Sequence, residues 1–136
     1  MVTRRPVAPS LAPTLDDIAR LAEEAQIGLP ARLRKFAEDV IVKVEDFPSD
    51  EVIEEMELES PFDILGLYQG VDLPRRSISD IGRLPDIVFL YRRPMLDYWC
   101  ESGERLPDIV RHVLIHEIGH HFGFSDEDME RIENGG

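Results

Sequence analysis

The run His116-Glu117-Ile118-Gly119-His120-His121-Phe122-Gly123-Phe124-Ser125-Asp126 restricts this chain more than any other stretch. His116 and His120 stand four residues apart. On a helix that spacing puts both imidazoles on one face, about one turn apart, where they can hold the same ion. Glu117 then lies roughly 100° around the helix from His116, close enough to reach a water on that ion without ligating it. Gly123 offers a place to end the helix in left-handed backbone at little steric cost. Once the chain has turned there, Asp126 can come back toward the two histidines. Two neutral imidazoles and one carboxylate suit a tetrahedral zinc ion whose fourth position is left to water.

The residues leading into the motif point to a buried helix. From Pro107 to His116 the chain is apolar nearly all round, the pattern of an interior helix. Imidazoles and a carboxylate on such a helix are costly unless something pairs with them, and a metal with its water would do so. The competing reading is a set of core histidines satisfied by backbone carbonyls, with Glu117 paired to an Arg. His112 precedes His116 by four, which makes a second possible pair. No Glu follows His112 and no carboxylate stands at a spacing that closes that pair, so His112 is expected to support or cap, with ligation the lesser alternative. His121 points away from the His116/His120 midline and is expected to pack or hydrogen-bond.

At these residues the chain resembles the zincin metallopeptidases. The extended pattern HExxHxxGxxD is similar to the metzincin form in which Asp replaces the third His. The segment His116 to Met129 more closely resembles the small bacterial minimal zincin, or zincin-like metallopeptidase, family. Ile64-Leu65-Gly66-Leu67-Tyr68-Gln69-Gly70 and Ile87-Val88-Phe89-Leu90-Tyr91-Arg92-Arg93-Pro94 match it as well, so the resemblance spans most of residues 30 to 132. It implies an α+β minimal zincin-like fold, in which a small mixed sheet packs on helices that include the HExxH helix. It also implies a Zn2+ cofactor on His116, His120 and Asp126, Glu117 as general base, and peptide-bond hydrolysis by a metal-activated water. One departure separates the chain from true metzincins. Their Met-turn lies well downstream of the last ligand, whereas Met129 follows Asp126 by three residues.

A length of 136 residues fits one domain with a modest core. Residues 1–13, with Pro6, Pro9 and Pro13 and no apolar h-region, are expected to be a mobile tail and not a secretory signal, with one domain over 14–136. A single cysteine, Cys100, rules out an internal disulfide and favours a reducing, cytoplasmic setting. No apolar run is long enough to span a membrane. The formal charge of −13 excludes nucleic acid as a natural partner and favours basic or neutral peptide or protein substrates. Nothing in the sequence speaks to oligomeric state.

In chain order, Thr14 with Asp17 reads as a capping box for a helix along Leu15, Ile18, Ala19, Ala22 and Ala25, ended by Gly28. Pro30 opens a second helix through Leu33, Phe36, Ala37 and Val40, expected to back the sheet. Val40–Val44 is a strand. Glu45 to Glu59 carries eight acids and no base, readable as a calcium loop, a patch for basic peptides, or a solvated loop with a short exposed helix from Ser49 to Glu57. The last reading is preferred, because the oxygen ligands lack EF-hand spacing and its Gly. Ile64–Tyr68 and Ile87–Tyr91 are further strands, separated by a loop carrying Arg75 and Arg76. Either could be the edge to which a peptide adds, and Tyr68 or Tyr91 could donate to an oxyanion, although core or rim placement is preferred for both. Short helices are expected from Pro94 to Trp99 and from Glu127 to Glu133. The alternative to an enzyme is a zinc-binding module without peptidase turnover that acts in interaction or regulation.

Overall fold

The computed structural model of the protein describes residues 11–70 and 86–134. Most of the expected tail, and the loop carrying Arg75 and Arg76, lie outside the described residues. The described chain runs α1 (Leu15–Ile27), α2 (Ala31–Ala37), β1 (Ile41–Glu45), α3 (Asp50–Glu55), β2 (Gly66–Gln69), β3 (Ile87–Tyr91), α4 (Arg92–Ser102), α5 (Leu106–His121) and α6 (Asp126–Glu133). It is an α+β fold around a three-stranded mixed sheet of order β1-β3-β2.

Local chemistry sets most boundaries. Thr14 caps α1 in a reciprocal box: the Asp17 amide donates to its hydroxyl at 3.1 Å, and the Thr14 amide donates to the Asp17 carboxylate at 2.8 Å. Ser49 caps α3 by accepting from the Val52 amide at 3.2 Å, so the acidic stretch does contain the short exposed helix. Pro107 sits in the first turn of α5, where its missing N–H costs nothing, and Asp108 complements the positive end of that helix.

α5 is the centre of the molecule. Ile109, Val110, Val113, Leu114, Ile115 and Ile118 are all buried on it, and it packs against α1, α2, α4, α6, β2 and β3. Each such side chain contributes about 1.5–3 kcal/mol by leaving water. The largely apolar pattern of this helix follows from its having neighbours around most of its circumference, with His112 and His120 on the side left open. At one contact the packing needs glycine. A Cβ on Gly66 of β2 would lie 2.7 Å from Val113 Cγ1 and 2.9 Å from the Phe89 carbonyl oxygen.

Several expectations shift: the strand expected over Val40–Val44 runs Ile41–Glu45, and the helix expected from Pro94 to Trp99 runs Arg92–Ser102. β2 begins at Gly66 and not at Ile64. α2 ends at Ala37, with Val40 beyond it, and it lies on α5, while α1 is the helix that backs the sheet through β1. β3 is paired on both sides, parallel to β1 and antiparallel to β2. It cannot accept an added strand, which leaves β2 as the edge among the two candidates. No helix of the described residues is long and apolar enough to cross a membrane.

Candidate metal centre

The motif residues occupy the last two turns of α5 and the first turn of α6. Between these helices the chain reverses through a tight glycine turn. Gly123 has φ +84°, the Phe124 amide donates to the Gly119 carbonyl at 2.8 Å, and the Gly123 amide donates to the His120 carbonyl at 3.2 Å. Ser125 then caps α6 by accepting from the Asp128 amide at 3.1 Å, which places Asp126 at the first helical position. The turn is clamped from α2: Phe36 stacks on Phe122 with centroids 4.8 Å apart and meets Phe124 edge-on at 5.8 Å. Gly119 lets α6 come close. A Cβ there would lie 2.4 Å from Sδ of Met129, a fully buried side chain.

This geometry brings the three expected ligand residues together. One donor atom from each of His116, His120 and Asp126 lies within 4.8 Å of the others. His120 Nε2 and Asp126 Oδ1 are 3.5 Å apart. Donors on a tetrahedral zinc with bonds of about 2.0–2.1 Å are separated by about 3.3 Å, so the pair is already near the spacing an ion imposes. The side chains of His116, His120 and Asp126 are 29%, 57% and 83% exposed, so the cluster has a sheltered inner end and an open outer one. Burial, reinforced by the neighbouring His112, lowers the pKa of His116 and favours the neutral imidazole that ligation requires. The two-imidazole, one-carboxylate donor set fits a divalent cation of the zinc type.

Glu117 stands one residue along and does not join the cluster. It is half-buried, and among the described residues it makes no hydrogen bond or ion pair. Burial pushes its carboxyl up to about 7. The alternative of Glu117 paired to an Arg therefore does not hold among the described residues.

Elsewhere the structure corrects the sequence reading. His112 does have a closing carboxylate: its Nδ1 donates to Glu133 Oε1 at 2.6 Å, and Glu133 Oε2 lies 3.8 Å from His116 Nε2. Glu133 was missed because α6 folds back before reaching it. The available signal was its spacing of seven from Asp126, which puts both carboxylates on one face of α6. His121 packs as expected, stacked on Tyr68 with centroids 3.9 Å apart. Tyr68 donates its hydroxyl to Asp86 at 3.0 Å. Tyr91 is buried, and desolvation, with the charges of Glu45 and Glu117, raises its hydroxyl to about 12. Core and rim placement thus hold for both tyrosines. Beyond Tyr91, a cavity of about 510 Å³ is lined by Phe89, Leu67 and Tyr68 together with Glu45, Glu51 and Glu55.

The sequence profile of the zincin-like metallopeptidase family matches residues 37–136. A search of curated proteins finds no match.

Proposed function

Since the chain belongs to the zincin-like metallopeptidase family, we propose that it is a zinc-dependent peptidase, an endopeptidase that hydrolyses internal peptide bonds with Glu117 as general base. One observation carries this reading. A half-buried carboxylate without a partner among the described residues, raised to about 7 by burial, follows His116 of a convergent His116/His120/Asp126 donor set. A structural carboxylate at that depth would be expected to have a partner.

His116, His120 and Asp126 would hold the ion. Zinc, when bound, supplies a Lewis acid for the scissile carbonyl and acidifies a water from about 15.7 toward about 7. Glu117 receives the proton of the attacking water on its carboxylate and delivers it to the departing amine. In the metal-free protein burial raises this carboxyl to about 7, the direction that makes it a stronger proton acceptor. β2, an edge of the sheet among the described residues, would take the substrate main chain as an added strand, which leaves side chains to face the acidic cavity on one side of the sheet. With a formal charge of −13 the protein selects for basic or neutral peptides and protein segments over acidic ones. Exposed Cys100 accords with a reducing compartment, so the proposed place of action is the cytoplasm.

The test is Glu117→Gln with zinc content measured alongside hydrolysis of an unstructured protein such as casein. Cleavage should fall by about a thousandfold or more while one zinc stays bound. Undiminished cleavage would remove Glu117 from its role. Zinc without any cleavage by the unaltered protein would favour a zinc-binding module instead.

A further inference from the structure

We propose a second cation seat, made by His112, His116 and Glu133, which shares His116 with the first and excludes simultaneous occupation of both. The three residues each bring one donor atom to within 4.8 Å of the others. His112 and His116 are again a pair four apart on α5, with ring centroids 4.0 Å from each other. Glu133, the last residue of α6, divides its carboxylate between them: Oε1 is 2.6 Å from His112 Nδ1 and Oε2 is 3.8 Å from His116 Nε2. The arrangement repeats the first donor set, two imidazoles from one helix and one carboxylate from the next.

The seat is held in place by more than the three side chains. Ile132 and Met129 are fully buried and anchor α6 on α5. Arg111 Nη1 donates to the Glu133 carbonyl at 3.3 Å, which ties down the end of α6. The His112–Glu133 contact is shorter than the donor spacing of about 3.3 Å in a tetrahedral zinc site. A cation would therefore replace the shared proton and open that gap by less than about 1 Å, within reach of a side chain at a helix end. Glu133 and His116 are largely sheltered while His112 is exposed, so an ion could enter from the His112 side. A neutral imidazole presents one lone pair, so His116 can serve one seat at a time. Zinc, cobalt and nickel fit this donor chemistry; calcium and magnesium, which prefer all-oxygen shells, do not. An ion in this seat leaves His120 and Asp126 without a metal, so the seat holds metal out of the first site.

The two seats are separated by removing the exposed ligands of the first. In the full chain carrying His120→Ala and Asp126→Asn, competition with a chromophoric chelator should show one Zn2+ bound at least about 100-fold more weakly than in the unaltered protein. Adding His112→Ala or Glu133→Gln to that variant should abolish the remaining binding. Binding unaffected by those additions, or no binding by the first variant, would overturn the seat and leave the Glu117 reading untouched. Both removed side chains are exposed, so the core is spared. Ring nitrogen resonances of His112 during zinc titration of the first variant give a second readout: a shift of Nδ1 that saturates at one equivalent is expected, and an unmoved resonance would overturn the proposal.

Discussion

His120 Nε2 and Asp126 Oδ1 lie 3.5 Å apart across a turn in which Gly123 has φ +84°. The two residues belong to different helices, so their distance is set by the turn and not by either helix alone. Asp126→Asn should lower zinc affinity by more than about 100-fold, beyond the roughly 10- to 100-fold typical of a residue that only supports a ligand. Chelator competition measures it. An affinity within twofold of the unaltered protein would remove Asp126 from the ligand set.

Gly123→Ala tests the same turn from the backbone. A Cβ there meets no neighbour, but the left-handed conformation strains any L side chain by about 1 kcal/mol. A stability loss of that size should appear in denaturant unfolding, together with weaker zinc binding, because relief of the strain moves Asp126.

Gly119 and Met129 give a steric version. With a Cβ 2.4 Å from Met129 Sδ, Gly119→Ala must displace a fully buried side chain on α6. Overpacking of this kind costs about 1–3 kcal/mol. Thermal unfolding should register it, and in a double-mutant cycle the cost of Gly119→Ala should shrink when Met129 is already Ala.

Glu117 makes the stability of the metal-free protein depend on pH. Its folded pKa, about 7, lies above the ordinary 4.5, so the folded state binds the extra proton between those values. The folded state is therefore favoured below about pH 4.5 and loses this contribution as pH rises through 7. The full shift corresponds to about 3 kcal/mol, and solvent screening of a half-exposed group brings it to on the order of 1–2. Glu117→Gln should gain thermal stability over the unaltered metal-free protein at pH 8 and show little difference at pH 4.5. Parallel melting curves at the two values decide it.

Phe36 holds the turn from outside the motif. Phe36→Ala removes its stacking on Phe122 and its edge contact with Phe124. A loss of about 2–4 kcal/mol in denaturant unfolding is expected, with reduced zinc affinity as the turn loosens. Unchanged affinity would show that the turn keeps its shape without α2.

Much of this architecture could be read from the chain because it rests on local rules. The Thr14–Asp17 box, the Gly123 turn and the buried α5 are all written in short-range patterns, whereas the last helix, expected from Glu127, starts at Asp126 under the Ser125 cap. Strand order was not, because pairing of Ile41–Glu45 with Ile87–Tyr91 across more than forty residues leaves no periodic mark. The placement of Glu133 beside His112 escaped for a related reason: it exists only once α6 has folded back along α5. α2 was expected to back the sheet and lies on α5 instead, because an apolar stripe shows that a helix is packed without showing on what.

The family match begins at residue 37, yet α1 and nearly all of α2 lie before it. Ile18, Ala22, Leu29 and Leu33 from that earlier portion are inside the core. A fragment trimmed to the matched span would strip the cover from one flank of the histidine-bearing helix, leaving an oily surface prone to self-association. Residues 15–36 are thus part of what holds α5 and its candidate ligand residues in place, though they carry none of them.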